Sequence, residues 1–363
     1  MKLAIVLGTR PEIIKMSPIV RECQKKKIDF FILHTGQHYS KELDEIMFKE
    51  LEMPAPKYNL GVGGQPYRKQ VGIMTKEIIN IFKEEKPDVV LVQGDTISVL
   101  AGALAASKLG IKLAHHEAGL RSHDTSMLEE VNRVIVDHIS DFLFVPTSDA
   151  LKNLHQEGGD SGKIVLTGNT IVDAVNQNLE IADKKINVLK NLNLTSKKYI
   201  LVTCHRAESV DKKEILEEIL KGFSRVFNKF NLPLIFPVHP RTMSKMEEFN
   251  LTFPTGIRVI EPVGFLEMLQ LERNARLIIT DSGGIQEEAF VLKVPCVTIR
   301  TSTERPETIA CGANFLAGTD SEGILSGVEE MMEKNLSINN RENPFGDGKA
   351  AERIINELVK RNL

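Results

Sequence analysis

Three carboxylates in the first half of the sequence have the residue type and the placement expected of groups that transfer protons. Asp95 and Glu117 follow apolar runs that predict β-strands, in the segments VQGDT and HHEAG. Glu129 lies in the segment EEVNR, four residues before Arg133, so the two side chains share one face of a predicted helix. These four residues are candidate catalytic groups. Two structural alternatives stay open: Asp95 can cap a helix, and Glu129 can form a surface ion pair with Arg133.

A second group of residues is suited to binding phosphate. Arg10 and Lys15 follow the first predicted strand, in the segment GTRPEIIK, where a Gly turn and a Pro mark a helix start. Because the N-terminus of a helix attracts anions, the sequence predicts a pyrophosphate site here, with a solvated helix start as the alternative. His205 follows a strand in the second half, in the segment TCHRAES, and is a candidate catalytic histidine that can hydrogen-bond phosphate.

The segment TDSGGIQEEA predicts a strand, a glycine-rich turn and a helix. The turn consists of Ser282, Gly283 and Gly284. Glycines let the backbone approach a phosphate closely, and Glu288, further into the helix, can accept hydrogen bonds from both hydroxyls of a ribose. Arg305, in the segment TERPE, adds a cation near the same rim. We therefore expect this half to bind a nucleotide diphosphate; the alternative is a glycine-rich connection with solvent-facing glutamates.

These segments all lie at the ends of predicted parallel strands. Runs rich in Val, Ile and Leu, each followed by a turn and an amphipathic stretch, recur in two series, as is typical of βα units. Ligands bind beyond the carboxyl ends of the strands in such sheets. We therefore predict an α/β fold with two Rossmann-like, doubly wound domains, residues 1–169 and 170–345, and an active site in the cleft between them. Residues 346–363 are predicted to form a closing helix.

Composition limits the partners of the chain. It has 363 residues, of which 42% are hydrophobic and 26% are charged, with a formal charge of −3. This gives no reason to expect nucleic acid or a membrane as a partner. The first residues, MKLAIVLG, are predicted to form a buried strand and not a signal peptide. Four scattered cysteines without a C-x-x-C pair fit free thiols in a reducing compartment, so we predict a cytoplasmic protein.

No cofactor or metal is predicted. The first strand is not followed by G-x-G-x-x-G, and neither G-x-x-x-x-G-K-[ST] nor G-x-S-x-G occurs. His115 and His116 stand beside Glu117, but neighbouring residues on a strand point to opposite faces and do not easily chelate one metal. The residues alone leave sugar transfer and epimerisation open as the chemistry of a nucleotide-bound sugar.

Segments throughout the chain resemble, in order and spacing, those of the non-hydrolysing UDP-N-acetylglucosamine 2-epimerases. The segments are GTRPEIIKMSP, TGQH, VQGDT, HEAGLRS, EEVNR, GNTIVDA, CHRAES, HPRT, TDSGGIQEEA, VPCVTIRTSTERPE and NPFGDGKAAERI. The resemblance covers nearly the whole chain. It implies a fold of the GT-B type with a closing cleft, a homodimer, and a last helix that packs back on the first domain.

The resemblance also implies a role for each candidate residue. The positions that match acid/base carboxylates and the cation beside them are Asp95, Glu117, Glu129 and Arg133. The positions that match diphosphate, ribose or further nucleotide contacts are Arg10, Lys15, His205, Ser282, Gly283, Gly284, Glu288 and Arg305. Where some relatives have a glutamine and an aromatic residue, this sequence has Val263 and Met268, which leaves recognition of the base open.

The implied reaction is reversible inversion of carbon 2 of UDP-N-acetylglucosamine, which gives UDP-N-acetylmannosamine. Because the hydrogen on this carbon has very low acidity, the implied route eliminates UDP to a 2-acetamidoglucal, and UDP adds back after protonation of the other face. Which carboxylate serves which face is left open. The resemblance further implies that the substrate is an allosteric activator. Alternatives are a hydrolysing epimerase that releases N-acetylmannosamine and UDP, a GT-B glycosyltransferase, and a binding module without chemistry.

Overall fold

The computed structural model describes four stretches of the chain. They are residues 1–37, 41–64, 66–333 and 343–361. The chain divides into two compact units, one formed by Met1–Gln177 with Asn343–Leu363 and the other by Asn178–Glu342. The first unit thus extends past the boundary placed at residue 169 from the sequence, and it includes the closing segment.

The first unit contains a seven-stranded sheet. Its strands are β1 (Lys2–Leu7), β2 (Asp29–His34), β3 (Tyr58–Asn59), β4 (Val89–Gln93), β5 (Lys112–His116), β6 (Phe142–Val145) and β7 (Ile164–Leu166). Its helices are α1 (Arg10–Lys25), α2 (Lys41–Glu50), α3 (Tyr67–Glu85), α4 (Ile97–Leu109), α5 (Leu128–Ile139), α6 (Ser148–Gln156), the start of α7 (Thr170–Lys185), and α16 (Ala350–Arg361). Neighbouring strands are parallel, in the order β3-β2-β1-β4-β5-β6-β7.

The second unit contains a six-stranded sheet. Its strands are β8 (Ile200–Thr203), β9 (Leu234–Pro237), β10 (Ile257–Ile260), β11 (Leu277–Thr280), β12 (Cys296–Thr298) and β13 (Asn314–Leu316). Its helices, after the end of α7, are α8 (Val188–Asn191), α9 (Ala207–Val210), α10 (Lys213–Phe230), α11 (Pro240–Glu248), α12 (Phe265–Asn274), α13 (Gly283–Val291), α14 (Pro306–Ala310) and α15 (Ser321–Glu333). Neighbouring strands are again parallel, in the order β10-β9-β8-β11-β12-β13.

Both sheets are doubly wound. In each sheet the strand order reverses beside the first strand, because β1 pairs with β2 and β4 and because β8 pairs with β9 and β11. The connections therefore leave the central strand in opposite directions, and a crevice opens at the carboxyl ends of these strands. The predicted fold class, α/β with two Rossmann-like parallel sheets, is confirmed.

The apolar runs recognised in the sequence form the central strands. Strands β4 and β8 are buried along their whole length, and β1 is buried after its first residue. Strands covered by helices on both faces read as continuous apolar runs, which explains why the pattern predicted them. Among the helices that the structure describes, none combines the length and the apolar composition that crossing a membrane requires.

The C-terminal helix α16 packs against α1 within the first unit. Asp173 on α7 accepts hydrogen bonds from the backbone N–H groups of Ala350, at 3.2 Å, and Ala351, at 3.1 Å, which begin α16. The backbone N–H of Asn169 donates to the carbonyl oxygen of Phe345 at 2.7 Å. These contacts tie the first turns of α7 to the C-terminal segment, which explains why the first unit continues beyond residue 169.

Candidate active site

Glu117 is a buried carboxylate with three hydrogen-bond donors at the edge of the first sheet. It directly follows β5, and its Oε1 lies 2.5 Å from Nζ of Lys15 on α1. The same oxygen accepts a hydrogen bond from Nδ2 of Asn169 at 2.8 Å, and Oε2 accepts one from Nε2 of Gln93. Glu117 is 6% exposed, and its carboxylate is thus surrounded by two amide donors and the ammonium group of Lys15.

The backbone of Glu117 is itself strained. Its φ angle is +68°, in the left-handed region that costs a residue with a side chain roughly 1 kcal/mol or more. A Cβ atom added to Gly94, which follows β4, would lie 3.6 Å from Oε2 of Glu117. The carboxylate of Glu117 therefore lies against Gly94, the residue before Asp95 in the loop that follows β4.

The two histidines before Glu117 have different partners. Nδ1 of His115 lies 2.7 Å from Oδ1 of Asp137, and its Nε2 lies 2.8 Å from the carbonyl oxygen of Gly94. Nε2 of His116 lies 2.9 Å from Oγ1 of Thr170. Burial lowers the pKa of His116 to about 4, so its imidazole is neutral at neutral pH. In the part of the chain that the structure describes, no group of three or more His, Cys, Asp or Glu side chains could hold a metal ion.

Asp95 pairs with Arg133 on α5. Nη1 of Arg133 also donates to Oε2 of Glu130 at 2.8 Å, and Nδ2 of Asn132 donates to the backbone oxygen of Asp95 at 2.8 Å. Helix α5 therefore holds the loop after β4 through two neighbouring residues. Asp95 is not a helix cap, because the cap of α4 is the side chain of Thr96.

The spacing of Glu129 and Arg133 does not produce an ion pair. Glu129 is exposed on α5, whereas Glu130, one position along, is buried and pairs with Arg133. Burial alone would raise the pKa of Glu130, but hydrogen bonds from the backbone of Ser122 and His123, together with the charge of Arg133, hold it below its usual value. Glu130 was not predicted as a site residue, since adjacent glutamates in EEVNR give no signal that separates the buried one from the exposed one.

Glu12, which was not predicted from the sequence either, joins the loops after β1 and β4. Its Oε2 accepts hydrogen bonds from the backbone N–H groups of Gly8, at 2.7 Å, and Thr9, at 2.8 Å. Its Oε1 accepts a hydrogen bond from Oγ1 of Thr96 at 2.7 Å. Burial raises the pKa of Glu12 to about 7, although these hydrogen bonds act in the opposite direction. Arg10, the first residue of α1 and two positions before Glu12, is exposed.

In the second unit, Asp281 supports the loop that carries His205. Oδ2 of Asp281 accepts hydrogen bonds from the backbone N–H groups of His205 and Arg206, both at 2.8 Å, and Nδ1 of His205 lies 3.2 Å from Oδ1. Burial would raise the pKa of Asp281, but the contacts with His205 and Arg206 lower it. Asp281 is fully buried, whereas 38% of the His205 side chain is exposed. The ring of His205 thus contacts Asp281 and is partly accessible.

The glycine-rich turn begins helix α13. Ser282 is the residue before the helix, and its side chain makes no capping hydrogen bond. A Cβ atom added to Gly283 would lie 3.8 Å from Nη2 of Arg206 and 3.8 Å from Oε2 of Glu304. A helix N-terminus with an arginine beside it attracts anions. The phosphate site at Ser282, Gly283 and Gly284 stays a prediction.

Two adjacent glutamates in α13, Glu287 and Glu288, are both buried. Glu287 is buried, and its Oε1 lies 2.5 Å from Nε of Arg305, the cation predicted to contact the nucleotide. Glu288, the predicted ribose carboxylate, is 7% exposed. Val263 and Met268, at the position left open for base recognition, pack against an apolar cluster that includes residues of β8 and β11.

Comparison with known proteins identifies the family. The family model described as UDP-N-acetylglucosamine 2-epimerase matches residues 21–359. The chain belongs to this family. It is 53% identical, over 365 residues and 99% of each chain, to the UDP-N-acetylglucosamine 2-epimerase of Methanocaldococcus jannaschii. It is 39% identical over 364 residues, 99% of this chain and all of the relative, to the UDP-2,3-diacetamido-2,3-dideoxy-D-glucuronate 2-epimerase of Pseudomonas aeruginosa.

A solved structure of the same family has the same fold. The crystal structure of Methanocaldococcus jannaschii UDP-GlcNAc 2-epimerase in complex with UDP-GlcNAc and UDP is 53% identical to this chain, with a TM-score of 0.89. The match covers 99% of this chain and 100% of that one. The family resemblance and the GT-B-type fold predicted from the sequence are confirmed.

Proposed function

We propose that this member of the UDP-N-acetylglucosamine 2-epimerase family converts UDP-N-acetylglucosamine reversibly into UDP-N-acetylmannosamine without releasing the free sugar. The observation that carries the proposal is the buried ion pair of Glu117 with Lys15 at the edge of the first sheet. Asp95 with Arg133 stands at the end of the neighbouring strand, since Gln93 of β4 pairs with the residue just before Glu117. Epimerisation needs such groups on either side of one carbon atom.

The proposed route is elimination and re-addition. A carboxylate takes the proton from carbon 2 while the bond between carbon 1 and the diphosphate oxygen breaks, and the electron pair of that bond leaves with UDP. The products are a 2-acetamidoglucal and UDP. In the second step UDP attacks carbon 1 again, and carbon 2 receives a proton on the opposite face. We propose Asp95, Glu117 and Glu129 as the carboxylates of these transfers, with Arg133 stabilising the carboxylate charge.

We propose that the diphosphate is stabilised by cations and by the turn before α13. The proposed contacts are Arg10, Lys15, His205, Ser282, Gly283, Gly284 and Arg305. The partly accessible ring of His205 and the uncapped start of α13 support this proposal. Glu288 is proposed to accept hydrogen bonds from the ribose hydroxyls. Stabilising the charge that develops on the leaving diphosphate is expected to be the largest electrostatic contribution.

We further propose that the enzyme is a cytoplasmic homodimer and that its substrate also activates it. Three residues on α5 support an interface, because Leu128, Val131 and Ile135 are 52%, 41% and 38% exposed and recur at helical spacing. Light scattering of the wild type and of Val131→Asp tests the dimer. Substrate activation predicts sigmoidal dependence of the initial rate on UDP-N-acetylglucosamine concentration.

One experiment tests the reaction. The purified protein is incubated with UDP-N-acetylglucosamine in deuterium oxide, and the anomeric protons are followed by NMR. We expect UDP-N-acetylmannosamine to form with deuterium at carbon 2, and Glu117→Gln to abolish this exchange. Free N-acetylmannosamine with UDP would instead identify the hydrolysing reaction. If UDP-N-acetylglucosamine stays unchanged but UDP-2,3-diacetamido-2,3-dideoxy-D-glucuronate exchanges deuterium at carbon 2, the proposed substrate is wrong. The proposed proton transfer at carbon 2 is then retained.

A further inference from the structure

A second carboxyl group lies against Glu288 inside the second unit. Glu272 on α12 is fully buried, and its side chain interacts with that of Glu288 on α13. Within the described residues, no N–H or O–H group donates a hydrogen bond to either carboxyl oxygen of Glu272. Two buried carboxyl groups side by side repel each other unless they share a proton, so one member of this pair is protonated.

The surroundings identify Glu272 as the protonated member. The apolar cluster between α12, α13 and the sheet includes Leu271, Ala275, Ile278, Ala289 and Val294. The titratable groups that face Glu272 from the neighbouring elements are Glu288 on α13, Tyr199 before β8 and Cys296 on β12. Arg273, the next residue on α12, pairs with Asp183 and not with Glu272. No cation in the described stretches compensates a charge on Glu272.

Cys296 and Tyr199 stay neutral as well. Burial and the repulsion of Glu288 raise the pKa of Glu272 well above its usual value. Burial raises the pKa of Cys296 to about 12 and that of Tyr199 above its usual value, and the hydroxyl of Tyr199 donates to the carbonyl oxygen of Leu271 at 2.5 Å. The O–H of Glu272 is therefore the donor in its contact with Glu288.

We propose that Glu272 is a positioning residue, whose protonated carboxyl holds the Glu288 carboxylate in the orientation that accepts both hydroxyls of a ribose. The proposal rests on the proposed function, in which Glu288 binds the ribose. A carboxylate that binds two neighbouring hydroxyls must present its oxygens in one orientation. A hydrogen bond from a neutral buried donor fixes that orientation, and it adds no cation that would compete with the hydroxyls for the carboxylate.

The test measures discrimination between two ligands. The dissociation constants of UDP and of 2′,3′-dideoxy-UDP are determined by isothermal titration calorimetry, and their ratio isolates the contribution of the ribose hydroxyls. The variants are Glu272→Gln, which keeps an N–H donor, and Glu272→Met, which has a similar shape and no donor. We expect Glu272→Gln to keep the wild-type ratio within about threefold and Glu272→Met to reduce it by roughly tenfold or more.

The pH dependence of the ratio separates positioning from packing. Without its buried donor, Glu288 in Glu272→Met binds a proton more readily, so the ratio should rise as the pH increases from 6 to 8.5. In the wild type and in Glu272→Gln the ratio should stay constant over this range, because titration of phosphates and histidines affects both ligands alike. An equal decrease of the ratio of dissociation constants in both variants, or an unchanged ratio in Glu272→Met, would overturn the inference.

Failure of the proposed function has a different signature. A wild-type protein that binds UDP and its dideoxy analogue equally would show that Glu288 does not bind the ribose. Infrared difference spectra of the wild type and Glu272→Gln at pH 7 give a second measurement that does not depend on Glu272→Met. We expect the C=O stretch of one neutral carboxylic acid to disappear in Glu272→Gln, and an unchanged spectrum in that region would contradict a protonated Glu272.

Discussion

Lys15 and Glu117 form a buried ion pair, with 2.5 Å between Nζ and Oε1 and no more than 9% of either side chain exposed. Lys15 lies on the helix that follows β1, and Glu117 directly follows β5, so the pair joins two segments of one sheet edge. Lys15 had been predicted to face a phosphate. Its contact with Glu117 gives it a second task, which is to keep a buried carboxylate ionised.

Removing both partners of this pair should destabilise the protein by less than the sum of the two single losses. Glu117→Gln leaves the ammonium of Lys15 without its carboxylate, and Lys15→Met leaves Glu117 without its cation. Each single change should lower the free energy of unfolding by about 3–5 kcal/mol, and the double variant should lose less than the sum. Because the chain has no tryptophan, unfolding in urea is followed by circular dichroism.

The control is an exposed pair in the same unit. Nζ of Lys152 lies 2.7 Å from Oδ1 of Asp149, with 68% and 57% of the two side chains exposed. Lys152→Met should leave the unfolding midpoint almost unchanged, since exposed ion pairs contribute little. Strictly additive losses in the Lys15 and Glu117 double variant would show that these two side chains do not stabilise each other.

Two adjacent glutamates of α5 should respond differently to the same change. Glu129→Gln should reduce deuterium exchange at carbon 2 by roughly 100-fold or more, without lowering the melting temperature, because Glu129 is exposed. Glu130→Gln should lower the melting temperature, since the ionised Glu130 accepts hydrogen bonds from the backbone of Ser122 and His123 and pairs with Arg133. Full activity in Glu129→Gln would remove Glu129 from the proposed acid/base carboxylates.

Glu12 should make the stability of the protein depend on pH. Burial raises the pKa of Glu12 from the usual 4.5 to about 7 in the folded protein, so folding favours the protonated form. The contribution of Glu12 is therefore complete below pH 4.5 and decreases as the pH rises towards 7. The difference in unfolding free energy between the wild type and Glu12→Gln should shift by roughly 3 kcal/mol over this interval, to the disadvantage of the wild type.

Urea unfolding of the wild type and Glu12→Gln at several pH values measures this difference. All other titrating groups are common to the two proteins and cancel. A pH-independent difference for Glu12→Gln would mean that Glu12 is ionised throughout, held by its four hydrogen bonds.

The sequence was sufficient to predict the strands and the residues at their ends, because parallel strands buried on both faces appear as apolar runs. It was not sufficient for contacts between distant segments. Gln93 and Asn169 both bind Glu117, although 76 positions separate them, and neither amide carries a charge that would mark it. Glu130 was missed because burial, and not residue type, distinguishes it from the exposed Glu129 beside it. Glu12 was missed because its burial has no signal in the sequence around it.

The predicted phosphate contacts show the same limit. Lys15 and Arg305 were identified by charge and by their position after a strand, and both turn out to pair with buried glutamates. A pattern can place a cation at the edge of a sheet, but it does not show which acidic side chain lies opposite. The domain boundary likewise depends on a contact between distant segments, because Asp173 accepts a hydrogen bond from the start of the helix that begins at residue 350.

Asp281→Ala should destabilise the protein more than Asp281→Asn. Alanine leaves the partly buried N–H groups of His205 and Arg206 without an acceptor, at a cost of about 1 kcal/mol or more for each, whereas asparagine keeps one oxygen that can accept. Urea unfolding followed by circular dichroism compares the two variants. His205→Asn is the matched control, since it keeps the backbone N–H groups and should leave stability nearly unchanged.

The same three variants test the phosphate contact of His205. If His205 binds the diphosphate through its partly accessible ring, His205→Asn should weaken UDP binding about tenfold while uridine, which has no phosphate, is unaffected. Asp281→Asn should weaken UDP binding less than His205→Asn does, because it disturbs the orientation of the ring without removing it. Equal affinity of the wild type and His205→Asn for UDP in calorimetry would exclude His205 as a phosphate ligand, and the support that Asp281 gives to the loop would then serve Arg206 instead.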